Sequence, residues 1–194
     1  HDQRQGHASR RARRARVNPA LLEQLRAIVG PRWVRHRGAE LATYGMDGLP
    51  TRETLPGVVV LPGSRDEVIA VVGLLARTRT PFVARGAGTG LSGGALAESD
   101  AVLIALTRLT RILAVDPVRR RAVVEPGVVN ARLSEAVRPL GLAYMPDPSS
   151  QSACTLGGNV AENAGGPHCL KYGVTTNHVV ALEVVLPDAS VVRL

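Results

Sequence analysis

The sequence predicts an α+β fold, in which a small parallel βαβ unit is followed by the start of a mixed, largely antiparallel sheet. Three observations lead to this prediction. Apolar runs at 58–61 and 82–84 flank a segment with helical periodicity. Two further strand patterns follow each other across a turn at Asp116 and Pro117. Apolar residues make up 45% of the 194 residues, which is enough for a core, although only 3% are aromatic.

Residues 1–18 are predicted to form a basic arm. Six arginines lie between Arg4 and Arg16, the chain has a net charge of +8, and Lys171 is its one lysine. Such a run can bind nucleic acid or an anionic membrane surface. However, the arm has no aromatic residues and no helical period. A disordered, Arg-rich extension is therefore the preferred interpretation, and no nucleic-acid partner is expected.

The helices are predicted from apolar spacing and from residues that start and end helices. Apolar residues recur at helical spacing until Gly30 and Pro31 end the first helix. The second helix opens with the capping-box pattern Ser-x-x-Glu, which ends at Glu67. The third is expected to end near Gly141, and the fourth covers 156–163. The residues predicted to cap these helices are Asn18, Ser64, Asn130 and Thr155.

The strands are predicted from short apolar runs. The run at 58–61 is expected to be a compact apolar strand, and the run at 82–84 a buried one. The two are expected to be parallel to each other and joined by a right-handed crossover. The segment 32–52 is predicted to be irregular. The remaining strands are predicted at 102–106, 112–115, 121–125, 179–186 and 191–194.

The second of these strands runs directly into a glycine-rich loop over 85–94, Arg-Gly-Ala-Gly-Thr-Gly-Leu-Ser-Gly-Gly. Glycine lets a ligand approach the backbone, and successive free N–H groups can form a nest for an anion. Arg85, Thr89 and Ser92 add side-chain donors. A turn alone needs one or two glycines. The loop therefore predicts a phosphate-bearing ligand at the carboxyl end of its strand, where ligands bind in open α/β sheets.

The identity of that ligand is not decided by the loop alone. Residues 88–93 match G-x-G-x-x-G, which indicates a nicotinamide site only where it opens a crossover helix. Residues 94–100 are too short for such a helix, and the absence of G-K-[ST] excludes a P-loop ATPase. A nicotinamide-dependent dehydrogenase domain stays as one alternative. A non-enzymatic interaction or nucleic-acid-binding module that uses the basic arm is the other.

Two further motifs extend the pattern, Asp-Pro-Ser-Ser-Gln at 147–151 and Leu-Gly-Gly-Asn-Val-Ala-Glu-Asn-Ala-Gly-Gly at 156–166. With the glycine loop they resemble the FAD-linked 2-hydroxy-acid oxidases and dehydrogenases, a family that includes the glycolate oxidase flavin subunit and D-lactate dehydrogenases. The resemblance extends from about residue 41 to the end. It implies a vanillyl-alcohol-oxidase (PCMH-type) FAD-binding domain over 19–194, incomplete at its C-terminus and without the substrate cap domain.

The resemblance also implies the chemistry, which is oxidation of a small 2-hydroxy acid by hydride transfer to flavin. The FAD is expected to be non-covalent, because Thr89 stands where some relatives of this fold carry the histidine that bonds the flavin. The catalytic groups, with a metal site in some members, are expected beyond this fragment, so no catalytic residue or metal ligand is assigned and the fragment alone is expected to be inactive. Other oxidase subunits or an electron acceptor are the expected partners.

The second and third motifs are expected to flank the flavin ring. Asparagine amides both donate and accept, as a flavin edge requires. Thr155 is compatible with a simple helix cap and with an anion site at the helix start. The implied FAD contacts are Arg85, Gly86, Ala87, Gly88, Thr89, Gly90, Leu91, Ser92, Pro148, Ser149, Ser150, Thr155, Gly157, Gly158, Asn159, Asn163 and Gly165.

Other features leave alternatives open. The segment 44–47 resembles the family's Tyr-x-x-Asp pattern or forms a simple turn. His168 is suited to act as a base and Lys171 to bind a carboxylate, but a histidine without a visible partner is interpreted as structural. Cys154 and Cys169 form no disulfide or metal pattern and are predicted to be buried. A cytoplasmic protein without a transmembrane segment, or one at the inner membrane face, is expected.

Overall fold

The computed structural model describes residues 18–194. The predicted basic arm lies outside these residues, apart from Asn18. The helices are α1 (Pro19–Val29), α2 (Gly38–Ala42), α3 (Arg65–Arg77), α4 (Asn130–Val137), α5 (Leu156–Glu162) and α6 (Cys169–Tyr172). The strands are β1 (Val34–Arg35), β2 (Val58–Val60), β3 (Phe82–Arg85), β4 (Val102–Ala105), β5 (Ile112–Asp116), β6 (Arg121–Val124), β7 (Glu183–Val185) and β8 (Val191–Arg193). Short 3-10 helices span Pro31–Trp33, Arg138–Leu140 and Thr175–His178.

Four strands form the first sheet, in the order β1-β2-β4-β3. Both β2 and β3 run parallel to β4, which lies between them, and β1 pairs antiparallel with β2. The parallel βαβ prediction is therefore confirmed in direction, but β2 and β3 are not neighbours. β1 and α2 lie in the segment predicted to be irregular, so that prediction was wrong there.

The burial of the strands follows their place in the sheet. All residues of β2 and β4 are buried, because these are the inner strands and both of their faces are covered. One face is covered by Leu25 of α1 and by Leu74 and Leu75 of α3. Burial of each of these side chains contributes about 1.5–3 kcal/mol to the free energy of folding. At the edge, β3 is only half-buried and its Ala84 is exposed. The prediction of a buried strand at 82–84 was therefore wrong.

The helix starts confirm three of the four predicted caps. Asn18 Oδ1 accepts a hydrogen bond from the N–H of Ala20 at 2.9 Å, and Ser64 Oγ accepts one from Glu67 at 3.1 Å. Glu67 Oε2 accepts from the N–H of Gly63 at 2.6 Å instead of completing the box at Ser64. Asn130 was wrongly predicted as a cap. It is the first helical residue of α4, 1% exposed, and its Nδ2 donates to the carbonyl of Pro146 at 2.9 Å.

Two antiparallel hairpins follow the first sheet. The pair β5–β6 confirms the predicted hairpin, although Asp116 is the last residue of β5 and the turn occupies residues 117–120. The pair β7–β8 is also as predicted, but the strand expected at 179–186 is limited to Glu183–Val185, since its partner strand has only three residues. Glu183 pairs with Arg65 of α3 and with Arg193. In residues 18–194 no helix is long and apolar enough to span a membrane.

Candidate functional site

The glycine loop presents a row of free backbone donors. The last ladder bond of the sheet runs from the N–H of Leu106 to the carbonyl of Arg85 at 2.9 Å. Beyond it, within the described residues 18–194, none of the N–H groups of residues 86–92 donates to a protein acceptor. Gly88 has φ +74° and Gly93 has φ +78°, which glycine adopts readily. The loop therefore has the form of an anion nest.

Residues 44–48 fold against this loop. The N–H of Gly48 donates to the carbonyl of Gly90 at 2.9 Å, and Asp47 Oδ2 accepts from the N–H of Gly93 at 2.9 Å. Asp47 Oδ1 also accepts from the N–H of Leu49 at 2.9 Å, which makes a local turn. A Cβ at residue 48 would lie 2.6 Å from the carbonyl oxygen of Thr89. The segment therefore forms a turn and also borders the glycine loop.

The side chain of Arg85 is directed into the protein and is only 6% exposed. Its Nη2 donates to the carbonyl of Met46 at 2.8 Å, and its Nη1 donates to those of Ala95 at 3.2 Å and Tyr44 at 3.4 Å. Burial lowers the pKa of Arg85, and the negative charge of Asp47 opposes this effect. These guanidinium donors, which were expected to face a ligand, are thus used inside the protein.

Helix α5 lies beside the glycine loop. A Cβ at residue 86 would stand 2.2 Å from Thr155 Oγ1 and 3.8 Å from the Cα of Gly158. At the other end of α5, Glu162 borders Gly90, whose added Cβ would be 3.6 Å from its Cδ. The packing therefore brings the first and third motifs together.

The start of α5 confirms the cap at Thr155, whose Oγ1 accepts from the N–H of Gly158 at 3.3 Å. The N–H groups of Leu156 and Gly157 donate to the carbonyls of Val128 and Pro126, each at 2.8 Å. The donors of the first turn are thus already paired inside the protein. Of the two interpretations of Thr155, the structure supports the helix cap.

The second motif contacts the end of the third through Asp147. His168 Nδ1 lies 2.5 Å from Asp147 Oδ2, and this hydrogen bond is the main cause that holds the pKa of Asp147 below its usual value. A Cβ at Gly166 would be 2.3 Å from the carbonyl oxygen of Asp147. His168 therefore has a partner, and the expectation of a histidine without one was wrong.

Cys154 is buried, as predicted, but Cys169 is exposed because α6 is a single surface turn. Lys171 is also exposed, with its Nζ 4.9 Å from the ring centre of Tyr172. Among residues 18–194 no group of three or more His, Cys, Asp or Glu side chains is arranged to hold a metal ion.

The predicted contact residues differ in their exposure. Those that are exposed are Ala87, Leu91, Ser92, Ser149 and Asn163. Those that are half-buried are Gly86, Gly88, Thr89, Gly90, Ser150, Gly157, Gly158 and Gly165. Those that are buried are Arg85, Pro148, Thr155 and Asn159. Sequence reasoning did not single out Glu162, although it lies in the third motif, and left Asp47 undecided although it begins an Asp-Gly turn.

Two of the open pockets among residues 18–194 differ in their relation to the candidate site. One of about 210 Å³ adjoins the glycine loop and is lined by Asp47, Leu49, Thr51, Arg52, Leu91, Ser92, Gly93 and Leu96. The other, of about 550 Å³, is lined by Thr110, Ile112, Val128, Val129, Arg132, Glu135 and Ala136. Only the smaller one includes predicted contact residues, so it is the pocket that belongs to the candidate site.

The model of one family, described as FAD binding domain, matches residues 56–194. This chain belongs to the FAD binding domain family. Its cofactor is FAD, as the family resemblance implied, and the fold is the vanillyl-alcohol-oxidase type that the same resemblance implied. An alkyldihydroxyacetonephosphate synthase structure supports the fold, with a TM-score of 0.83 and 23% identity over 92% of this chain and 36% of that one.

Curated relatives of this FAD binding domain include a glycolate oxidase subunit and a D-lactate dehydrogenase. The glycolate oxidase subunit GlcD of Escherichia coli K12 is 48% identical over 175 residues, which are 90% of this chain and 35% of that protein. The D-lactate dehydrogenase of Anaerostipes hadrus is 36% identical over 92% of this chain and 38% of that enzyme. The chain thus spans little more than a third of the length of these relatives.

The residues of this FAD binding domain fit the cofactor in two respects. The nest at 86–92 offers neutral donors to a pyrophosphate. Asn159 is 2% exposed, and its Nδ2 has no hydrogen-bond partner within the described part of the chain. A buried donor without an acceptor costs about 1–3 kcal/mol, which a ligand acceptor would recover. Asn163 differs from Asn159, because its Oδ1 already accepts hydrogen bonds inside the protein, from the N–H of Thr176 at 3.0 Å and from the Oγ1 of Thr176 at 2.7 Å.

Proposed function

We propose that this chain is the FAD-binding part of an oxidoreductase that oxidises a small 2-hydroxy acid of the glycolate or D-lactate type. The row of free N–H groups at 86–92 carries the FAD-binding part of the proposal. The substrate class is supported by the names of the glycolate oxidase subunit and the D-lactate dehydrogenase.

In this proposal the chain binds and orients the cofactor. The backbone of residues 86–92 holds the pyrophosphate, and the Nδ2 of Asn159 donates to an acceptor on FAD. Thr155 caps α5, and the other predicted contacts border the ring, namely Pro148, Ser149, Ser150, Gly157, Gly158, Asn163 and Gly165. Bound FAD supplies the acceptor for the hydride that leaves the α-carbon of the 2-hydroxy acid.

The attachment of FAD is proposed to be non-covalent. Thr89 has a hydroxyl but no ring nitrogen to bond the flavin, and the thiol of Cys154 is 4% exposed. Its neighbours in the sequence, Ala153, Thr155 and Leu156, carry no positive charge.

This chain covers little more than a third of its relatives' length. We propose that the groups that bind the substrate and abstract its hydroxyl proton lie in the part of the full-length protein that corresponds to the rest. Other oxidase subunits or a separate electron acceptor are the proposed partners, on the analogy of the glycolate oxidase subunit. A cytoplasmic or inner-membrane-face location is part of the same proposal.

The test is anaerobic reduction of the full-length protein after reconstitution with FAD. Glycolate and D-lactate are each mixed with the protein, and L-lactate serves as the stereochemical control. We expect the blue absorbance band of the flavin to bleach with one of the first two substrates. A protein that shows flavin bands but is bleached by neither acid would contradict the substrate class, and one that binds no FAD would contradict the whole proposal.

A further inference from the structure

Arg85 joins two parts of the chain that meet at the glycine loop. Its guanidinium donates to the carbonyls of Tyr44 and Met46 on one side and to that of Ala95, just past the loop, on the other. The guanidinium carbon also lies 5.9 Å from the ring centre of Tyr44. One buried cation therefore connects residues 44–46 to the far end of the loop.

The same two parts are joined at two more points. Asp47 Oδ2 accepts from the N–H of Gly93, and the N–H of Gly48 donates to the carbonyl of Gly90, both at 2.9 Å. We call residues 44–48 the clasp. The clasp uses the carbonyl of Gly90 and the N–H of Gly93, but none of the N–H groups of 86–92. The loop is thus held in shape while its row of donors stays free.

Holding this loop in advance matters because it is rich in glycine. Glycine loses more conformational freedom than any other residue when it becomes ordered. If the loop became ordered only on binding, that loss would be subtracted from the affinity for FAD. A loop that is already fixed by the clasp avoids this cost.

We propose that Arg85 is a positioning residue, which holds the clasp against the glycine loop through its hydrogen bonds. It thereby keeps the N–H groups of residues 86–92 arranged for the FAD pyrophosphate, and it does not itself contact the cofactor. The inference rests on the proposed binding of FAD at this loop. Lysine cannot replace Arg85, because one ammonium group does not reproduce the planar fork whose two nitrogens reach Met46 and Ala95 separately.

The experiment compares the full-length wild-type protein with Arg85→Met and Arg85→Lys. Arg108→Met is the matched control, since Arg108 also donates to a carbonyl, that of Leu61 at 2.7 Å, and lies 3.7 Å from the ring centre of Trp33. The dissociation constant of FAD from the apoprotein is measured by flavin fluorescence at several salt concentrations. Amide hydrogen exchange of the apoprotein is measured for residues 44–49 and 86–94.

We expect the dissociation constant of FAD to rise at least about tenfold in both Arg85 variants. In the apoproteins of these variants, the amide protons of Gly48 and Gly93 should exchange faster than in the wild-type apoprotein. The salt dependence of FAD binding should be unchanged, because no charge that faces the cofactor has been removed. Arg108→Met should lower thermal stability but leave FAD affinity and these two amides as in the wild type.

Two results would overturn the proposal. Unchanged FAD affinity in folded Arg85 variants would show that the loop does not need the arginine. A weaker salt dependence with unchanged exchange at Gly48 and Gly93 would show that Arg85 binds the phosphate directly. If Arg85→Met does not fold, Asp47→Ala removes the acceptor of the Gly93 bond and must give the same pattern. A wild-type protein that binds no FAD would instead refute the proposed function, while its amide exchange still tests the clasp.

Discussion

The hydroxyl of Thr155 lies directly against the backbone of Gly86, so that a Cβ at residue 86 would stand 2.2 Å from its Oγ1. Such a distance is too short for a carbon and an oxygen that are not bonded to each other. The first glycine of the loop is therefore required by the packing of the loop on α5, independently of any ligand. Thr155 is 3% exposed and caps α5, so it has little freedom to move away.

Gly86→Ala should separate the glycine loop from α5. We expect weaker FAD binding and a lower melting temperature, because the added methyl group must displace Thr155 or the loop. The added substitution Thr155→Ala should restore part of the FAD affinity, although loss of the cap costs about 1 kcal/mol by itself. Thermal denaturation and FAD titration of both single variants and the double variant check this. Effects that simply add would show that the two residues do not interact.

Gly88→Val should abolish FAD retention while the fold survives. The substitution places a side chain at φ +74°, and its Cβ would be 2.1 Å from Arg85 Nη2. Gly141→Val is the matched control, since Gly141 has φ +71° and nothing within 4 Å of an added Cβ. Both variants should lose about 1–2 kcal/mol from backbone strain. Only the control should keep its FAD through gel filtration, and a Gly88 variant with wild-type flavin content would contradict this.

Glu125→Gln should remove a source of stability that depends on pH. Glu125 accepts from the N–H of Arg111 at 2.7 Å and from its Nε and Nη2 at 3.0 and 2.7 Å. Burial raises the pKa of Glu125, but the hydrogen bonds and charge of Arg111 outweigh burial, so the net pKa is lowered. A lowered folded-state pKa adds stability that is present above the unfolded value of about 4.3 and is lost as the pH falls through the folded value.

At neutral pH we therefore expect Glu125→Gln to lower the free energy of unfolding by about 1–3 kcal/mol, as for a charge-assisted hydrogen bond. Urea denaturation at a series of pH values measures the difference from the wild type. The difference should shrink as the pH falls below the unfolded value of about 4.3 and through the lower pKa of the folded state. A difference that stays constant down to acidic pH would show that the carboxylate charge is not its cause.

The flavin of the full-length holoenzyme should be released by acid precipitation. Thr89 cannot form a histidyl bond, and Cys154 is buried at 4% exposure. The supernatant should carry the yellow colour, and the intact mass of the protein should equal that of the bare chain. Colour in the pellet would contradict non-covalent binding, and Cys154→Ser would then show whether this thiol forms the bond.

Local patterns were sufficient for those parts of the structure that depend on local chemistry. The spacing of Leu21 and Leu25 and the cap at Asn18 predicted α1, because helical period and capping act within a few residues. The position of the glycine loop at the end of β3 was predicted for the same reason. Strand order was not, because no residue in 102–105 indicates that β4 lies between β2 and β3.

The misjudged side chains are those whose partners are distant in sequence. Arg85 donates to carbonyls 39 and 41 positions earlier, and Asn130 donates to the carbonyl of Pro146, 16 positions later. His168 finds Asp147 21 positions away. Residue type indicated that each of these groups needs a partner, but only the fold determines which one it meets.

The place of β4 in the first sheet has a consequence for how the chain folds. Since β4 separates β2 from β3, neither of those parallel strands has its parallel partner until residues 102–105 have arrived. Contacts between segments far apart in sequence form late, because the intervening chain must first be closed into a loop. The glycine loop directly follows β3, so it should acquire its shape only after β3 has paired with β4, near the end of folding. A nascent chain released before residue 105 would present this loop without the strand that anchors it.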